Sequence, residues 1–321
     1  MAVDIAGPSD LGAVQEQERV EAGKSGTSKR QRLAHRRANA LRVSRHPVLG
    51  LLPFFAYMAV FFFVPAIGVL VDAFRSNSGS FTWGNLHQAT TGSYFHSFVV
   101  SAKLSTISAL IAALVGLVLV VAIVSSPNRL LRRAVTAASG VLANTGGIPL
   151  AFAFIATLGN FGIVTKLLTS MGYDPYSHGF TLYSVTGLVI VYQYFLIPLM
   201  VLVMLPAVEG LRQEWSDAAA NLGAKRRQYW WHVGIPLLMP PFLAGLLILF
   251  TDAFAAYATA EAIAGGVIPL VPLQIGNLIS GNVIANQANL GDALGLEMVV
   301  LVLVVASVYA IAQRKTSRWL H

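Results

Sequence analysis

Two charged residues fall inside long apolar runs of this sequence, Asp252 and Lys103. An ionisable group at bilayer depth costs several kcal/mol unless it is paired or wetted, so it is a functional suspect by default. The Asp252 carboxylate reads either as the lining of a polar pathway, where it would meet a cationic solute, or as the structural partner of a cation such as Lys103. Tyr192, Gln193 and Tyr194 place three polar side chains midway along another apolar run. They can line the same pathway or hydrogen-bond one helix to the next. Phe254 is the apolar candidate for the pathway wall, and Glu261 and Glu297 read as solvated near run ends. None of this is catalytic chemistry. The sequence has no phosphate-cradling G-x-x-x-x-G-K-[ST] loop and no H-E-x-x-H pair. Its seven His residues lack metal-ligand spacing, and there is no cysteine for a thiolate site. The chain therefore reads as a non-enzyme with no cofactor or metal of its own.

The elements that must position these residues follow from composition. Hydrophobic residues make up 55% of the chain and charged residues only 11%, under half of the roughly 25% typical of soluble domains. The apolar residues gather in runs long enough to span a bilayer, which takes about 20 residues as helix. Six spans are expected, over about 48–73, 97–124, 134–158, 183–205, 236–257 and 294–312. Gly146, Gly147 and Pro149 interrupt the third, and Pro198 kinks the fourth. The fold class is all-α, a polytopic membrane protein. A formal net charge of +8 first suggests nucleic acid, but basic residues flanking apolar spans ordinarily set topology. Of 22 Lys and Arg residues, nineteen lie in 1–46, 125–133, 208–236 and 313–321, against Arg75 and Lys166 on the other connections. That split puts both termini and the 208–236 loop in the cytoplasm. Residues 1–46 read as a basic, disordered cytoplasmic tail without a cleaved signal. The outer connection 258–293 is moderately apolar and is expected to re-enter the membrane or pack on its outer face.

The cytoplasmic loop is long and patterned. Asp217, Ala218, Ala219 and Ala220 favour a helix with an acid near its start, Asp217 or Glu214. Gly223 permits a left-handed C-cap. Lys225, Arg226 and Arg227 follow, then Tyr229, Trp230 and Trp231, which suit a membrane interface. Small side chains allow close approach, so the loop reads as a docking surface for a soluble partner with acidic groups, or as an interfacial helix lying on headgroups.

The spacing Asp217-Ala218-Ala219, three residues, Gly223, nine residues, Val233-Gly234-Ile235-Pro236 resembles the EAA loop of ABC importer permeases, with Asp, Val and Ile in place of Glu, Ile and Leu. Ser97 to Ser101, Gly116, Ile148-Pro149-Leu150 and Leu158 to Gly162 match the family too. Asp252 to Thr259 with Gly265-Gly266 most resembles its polyamine, ferric-iron, thiamine and aminoethylphosphonate branch. The resemblance implies a type I importer permease in the bacterial inner membrane, with a membrane domain over 47–315 and a short cytoplasmic C-terminus over 316–321. Asp217, Ala218, Ala219, Gly223, Ala224 and Pro236 would then belong to a coupling helix seated in a cleft of a cytoplasmic ATPase. Two such ATPases would carry ATP and Mg. A second permease, homologous but a different chain, would complete the pore, and an external substrate-binding protein would deliver the solute. The alternative is an ion-coupled secondary transporter acting alone, which would need more charged relays than Asp252 and Lys103 provide.

Overall fold

A computed structural model describes residues 47–281 and 287–317. The basic tail expected over 1–46 and residues 318–321 lie outside the described residues, as does most of the Asn/Gln-rich stretch between 282 and 289. The chain divides into two compact units at Ala66/Ile67. The first contains helix α1 (Pro47–Met58) and a π-helical turn, Ala59–Phe63. Leu51, Phe54, Phe55, Phe61 and Phe62 are all exposed on it. A helix apolar all round with no buried face is one whose solvent is lipid.

Helix α2 (Val64–Ala73) begins in the first unit and ends in the second, whose remaining named elements are all helices among the described residues. In order they are α3 (Gly84–Ala89), α4 (Gly92–Ser125), α5 (Arg129–Ala143), α6 (Ile148–Leu158), α7 (Ile163–Ser170) and α8 (Val185–Glu209). Then come α9 (Gln213–Asn221), α10 (Arg226–Tyr229), a π-helical turn (Trp230–Gly234), α11 (Ile235–Ala255), α12 (Ala258–Ala264), α13 (Val271–Ile279) and α14 (Ala288–Ser317). Among the described residues, six stretches are long and apolar enough to cross a membrane: Leu51–Ala73, Gly92–Ser125, Ile148–Ser170, Val185–Glu209, Arg226–Ala255 and Ala288–Ile311.

The centre is the packing of α8 against α4 and α11. Helices cannot be driven together by hydrophobicity in lipid, so close approach through small residues matters. Helix α4 offers that face, burying Ser101, Ser105, Ser108, Ala109, Ala112 and Gly116. Met200 of α8 fills the space that two glycines leave. A Cβ on Gly116 would stand 2.6 Å from the Met200 Cβ, and one on Gly245 of α11 would stand 2.8 Å from its sulfur. Ser101 also reaches sideways. Its hydroxyl accepts from the Val271 N–H at 2.9 Å, satisfying an otherwise orphan donor at the start of α13.

Three expected boundaries shift. The expected third span, 134–158, falls across the break between α5 and α6, and the third apolar stretch is instead Ile148–Ser170, made of α6 and α7. Asn128 caps α5, accepting from the Leu130 and Leu131 N–H groups, and Arg132 pairs with Glu209 at the end of α8. The helix therefore starts at Arg129, because a capped and ion-paired first turn needs no apolar residues. The fifth span is helical from Arg226, ahead of Pro236. Pro236 lacks an N–H and crowds the preceding turn, and the helix widens into its π turn there. The 258–293 connection contributes α12 and α13, with Ile263, Val271, Leu273 and Leu278 buried, so its described part packs on the bundle.

Candidate functional site

The 208–236 loop carries a short helix, α9, with a well-defined stop. Helix α9 begins at Gln213, four residues ahead of the expected start, so Glu214 sits in its first turn. Asp217 is therefore mid-helix and accepts from Gln213 Nε2 at 3.3 Å. At the other end, Gly223 has φ +78°. Its N–H donates to Ala220 O at 2.9 Å, and the Ala224 N–H donates to Ala219 O at 3.0 Å. That pair of reversed bonds is the Schellman closure, which needs a left-handed residue at the glycine position. The Ala219 and Ala224 side chains meet the wall of a cavity beneath the helix.

The opposite face looks outward. Trp215 is 40% and Leu222 88% exposed, and Ala218 and Asp217 are exposed between them. Positions three and four apart share a helix face, so Trp215, Ala218 and Leu222 form one apolar stripe. Trp215 was not among the residues the EAA spacing singled out. The signal that finds it is the apolar recurrence at 215, 218 and 222 in an otherwise polar loop. Beyond Gly223, the Gln228 side chain accepts from the Lys225 N–H at 2.7 Å and starts α10. Trp230 folds over Gly234, where a Cβ would stand 2.6 Å from the indole ring. That explains the glycine between Val233 and Ile235. Pro236 is exposed in the first turn of α11, and Trp231 is exposed as an interfacial ring would be.

A second candidate region lies at the far end of α11. A cavity of about 430 Å³ has Asp252, Asn144, Gly147, Phe195, Tyr257 and Thr259 in its wall. Two interruptions of helix meet there, one between α5 and α6 and one between α11 and α12. They are tied together: the Gly147 N–H donates to Thr259 Oγ1 at 2.8 Å, and the same hydroxyl reaches Gly147 O at 3.3 Å. Asp252 opens into this cavity. Among the described residues the ion pairs are Arg75–Asp72 and Arg132–Glu209, so Asp252 and Lys103 are not paired with each other.

The other pathway candidates sit elsewhere. Tyr192 is fully buried in the α4–α8–α11 core, and its hydroxyl donates to Ala256 O at 3.3 Å. Phe254 is 1% exposed and stacks on Phe250 with ring centroids 5.6 Å apart. Both face the interior of this chain and line no open space. Gln193 donates to Val189 O at 2.9 Å and Ser108 O at 3.3 Å, which is the helix-to-helix reading. Tyr194 is half-buried, edge-on to Phe154. Of the five, Asp252 alone borders the cavity.

Residues 119–320 match the family described as binding-protein-dependent transport system inner membrane component. The chain belongs to this family. Over 192 residues it is 27% identical to molybdenum transport system permease protein ModB of Mycobacterium tuberculosis, covering 58% of this chain and 69% of that protein. It is 30% identical over 126 residues to spermidine/putrescine transport system permease protein PotB of Haemophilus influenzae, covering 39% of this chain and 43% of that one. A solved bacterial ABC transporter involved in import of the acidic polysaccharide alginate has a chain that superposes with TM-score 0.68 at 16% identity, covering 87% of this chain and 99% of that one. A second structure of a bacterial alginate ABC transporter, in complex with an alginate-pentasaccharide-bound periplasmic protein, gives TM-score 0.66 at 16% identity over 88% and 97%. At that identity the likeness is one of fold. The chain is thus a permease component of a binding-protein-dependent importer, an all-α membrane protein with the ABC importer permease fold.

Proposed function

We propose that this permease forms half of a translocation pathway and is driven from outside itself, through α9. The carrying observation is the exposed Trp215–Ala218–Leu222 stripe on a loop flanked by basic residues. A cytoplasmic ATPase subunit fits that surface. Its cleft would take the two large side chains, with Asp217 and Ala218 at the points of closest approach and Gly223 fixing the exit angle. ATP and Mg would act on two such partners, with a second, homologous permease completing the pore. An external substrate-binding protein would deliver a small solute, such as a polyamine, ferric iron, thiamine, a phosphonate or an oxyanion. The orientation has both termini and α9 in the cytoplasm of a bacterial cell, with the chain in its inner membrane. An ion-coupled carrier acting alone loses its support, because the family depends on binding proteins.

The proposal is tested by Leu222→Arg. The side chain is outside the fold, so insertion and monodispersity should be unchanged. Hot-spot truncations cost about 2 kcal/mol or more, roughly thirtyfold in affinity. Co-purification of the ATPase subunit and ATP-dependent uptake should both fall by at least that factor. Full retention of both by the variant would refute the docking role.

A further inference from the structure

Beneath α9 the structure holds a pocket that the docking role does not use. It is a cavity of about 410 Å³ between the inner face of α9 and the ends of α4, α8 and α10. Arg212 and Arg226 stand in its wall with Gln213, Ser216 and Tyr229, and no acidic residue does. Neither arginine is in an ion pair among the described residues, since Glu209 is taken by Arg132. The pocket is therefore a basic concavity with its charge uncompensated.

Three of its wall residues, Val121, Ser125 and Trp230, also belong to the wall of a second cavity of about 600 Å³, which runs between α4 and α11. There the lining is almost wholly apolar, with Leu114, Val118, Ala122, Leu238 and Phe242. From Leu114 to Ser125 the α4 axis rises about 17 Å at 1.5 Å per residue. That is close to one leaflet of a hydrocarbon core about 30 Å thick. A basic head site adjoining an apolar groove one leaflet deep matches one class of molecule in its charge, its length and its two-part chemistry.

We propose that these two cavities bind one anionic phospholipid. Its phosphate lies between Arg212 and Arg226, and one acyl chain lies along α4 and α11. Guanidinium groups suit phosphate oxygens, which they can hold bidentately. On the proposed orientation, on which this assignment rests, the pocket would lie at the cytoplasmic leaflet, the negatively charged one. The lipid would pack under α9 and wedge it against the bundle, so the angle at which α9 is presented would depend on membrane composition.

Native mass spectrometry of the full chain, extracted gently and supplied with phosphatidylglycerol or phosphatidylcholine, tests the proposal. Two arginines near a phosphate predict about a tenfold or greater preference for phosphatidylglycerol. Arg212→Gln with Arg226→Gln should bring that preference to about onefold. Ala122→Phe, which blocks the groove and leaves the arginines, should lower retained phosphatidylglycerol several-fold. Leu222→Arg lies away from both cavities and should keep the wild-type preference whatever it does to ATPase association, so the two readings fail independently. Equal retention of the two lipids by the wild type would overturn the proposal. So would a preference that survives the double arginine variant, or equal binding of glycerol 3-phosphate, which has the phosphate but no tails.

Discussion

The two ends of the fifth span each adjoin a left-handed glycine, and the two glycines stand in opposite surroundings. At one end, Gly223 with φ +78° closes α9, and nothing lies within 4 Å of the place its side chain would take. At the other end, Gly147 with φ +77° opens α6, but its N–H and C=O are both held by the buried hydroxyl of Thr259. The first elbow is free in space, with large apolar groups on its outer face. The second is pinned to a neighbouring helix around a cavity that contains Asp252. A surface left open and apolar is made to be met by another molecule, whereas a break stitched to its neighbour is made to keep its shape. On the proposed function, the first would receive motion and the second would border the solute's path.

The packing between the elbows is where a change has the largest expected effect. Gly245→Leu drives a side chain into Met200, which is already wedged against Gly116. Overpacking of this kind costs about 1–3 kcal/mol. The expected result is a clear loss of thermal stability in detergent and of both elbows' function together. If α9 still bound its partner normally in such a variant, the elbows would be energetically separate.

The elbows themselves can be set against each other. Thr259→Val is close in shape and leaves the half-buried Gly147 N–H without its partner, which costs at most about 1–3 kcal/mol. Gly223→Val forces a β-branched residue into left-handed backbone, at about 1–2 kcal/mol. Thr259→Val should show mainly as lower melting temperature, and Gly223→Val mainly as lost ATPase association at a modest melting shift. The reverse pattern would contradict the contrast. The smallest stability effect belongs to Asp252→Asn. No ion pair is broken and the group faces open space, so unfolding should move by less than about 0.5 kcal/mol. Uptake should nevertheless change, since the charge at the cavity is gone. Unchanged uptake would remove Asp252 from the pathway.

Much of this was legible in the residues. Apolar runs and the Lys/Arg split carried the six spans, and the motif from Asp217 to Pro236 marked the loop. The start of α9 was not legible, because Gln213, Glu214 and Ser216 resemble any polar connection and only tertiary support makes them helical. Nor could the interior be separated from the pathway on α8. That helix is apolar on every side, so no period distinguishes its buried face. Tyr192 consequently looked like a lining residue and proved to be a core residue bonded to Ala256 O. Phe254 on α11 is likewise buried, at 1% exposure. The Thr259–Gly147 contact joins residues 112 apart in sequence, a separation at which local pattern carries nothing.

The central claim is that the outer face of α9 is where force from a separate ATPase enters this chain. Leu222→Cys tests it most directly, as the only cysteine in a sequence that has none. In the intact membrane complex, a short thiol-to-amine cross-linker should join Cys at this position to the ATPase subunit in high yield, and the yield should change when ATP is bound. A cross-link formed only to lipid or to the second permease, with none to the ATPase in either nucleotide state, would contradict the account.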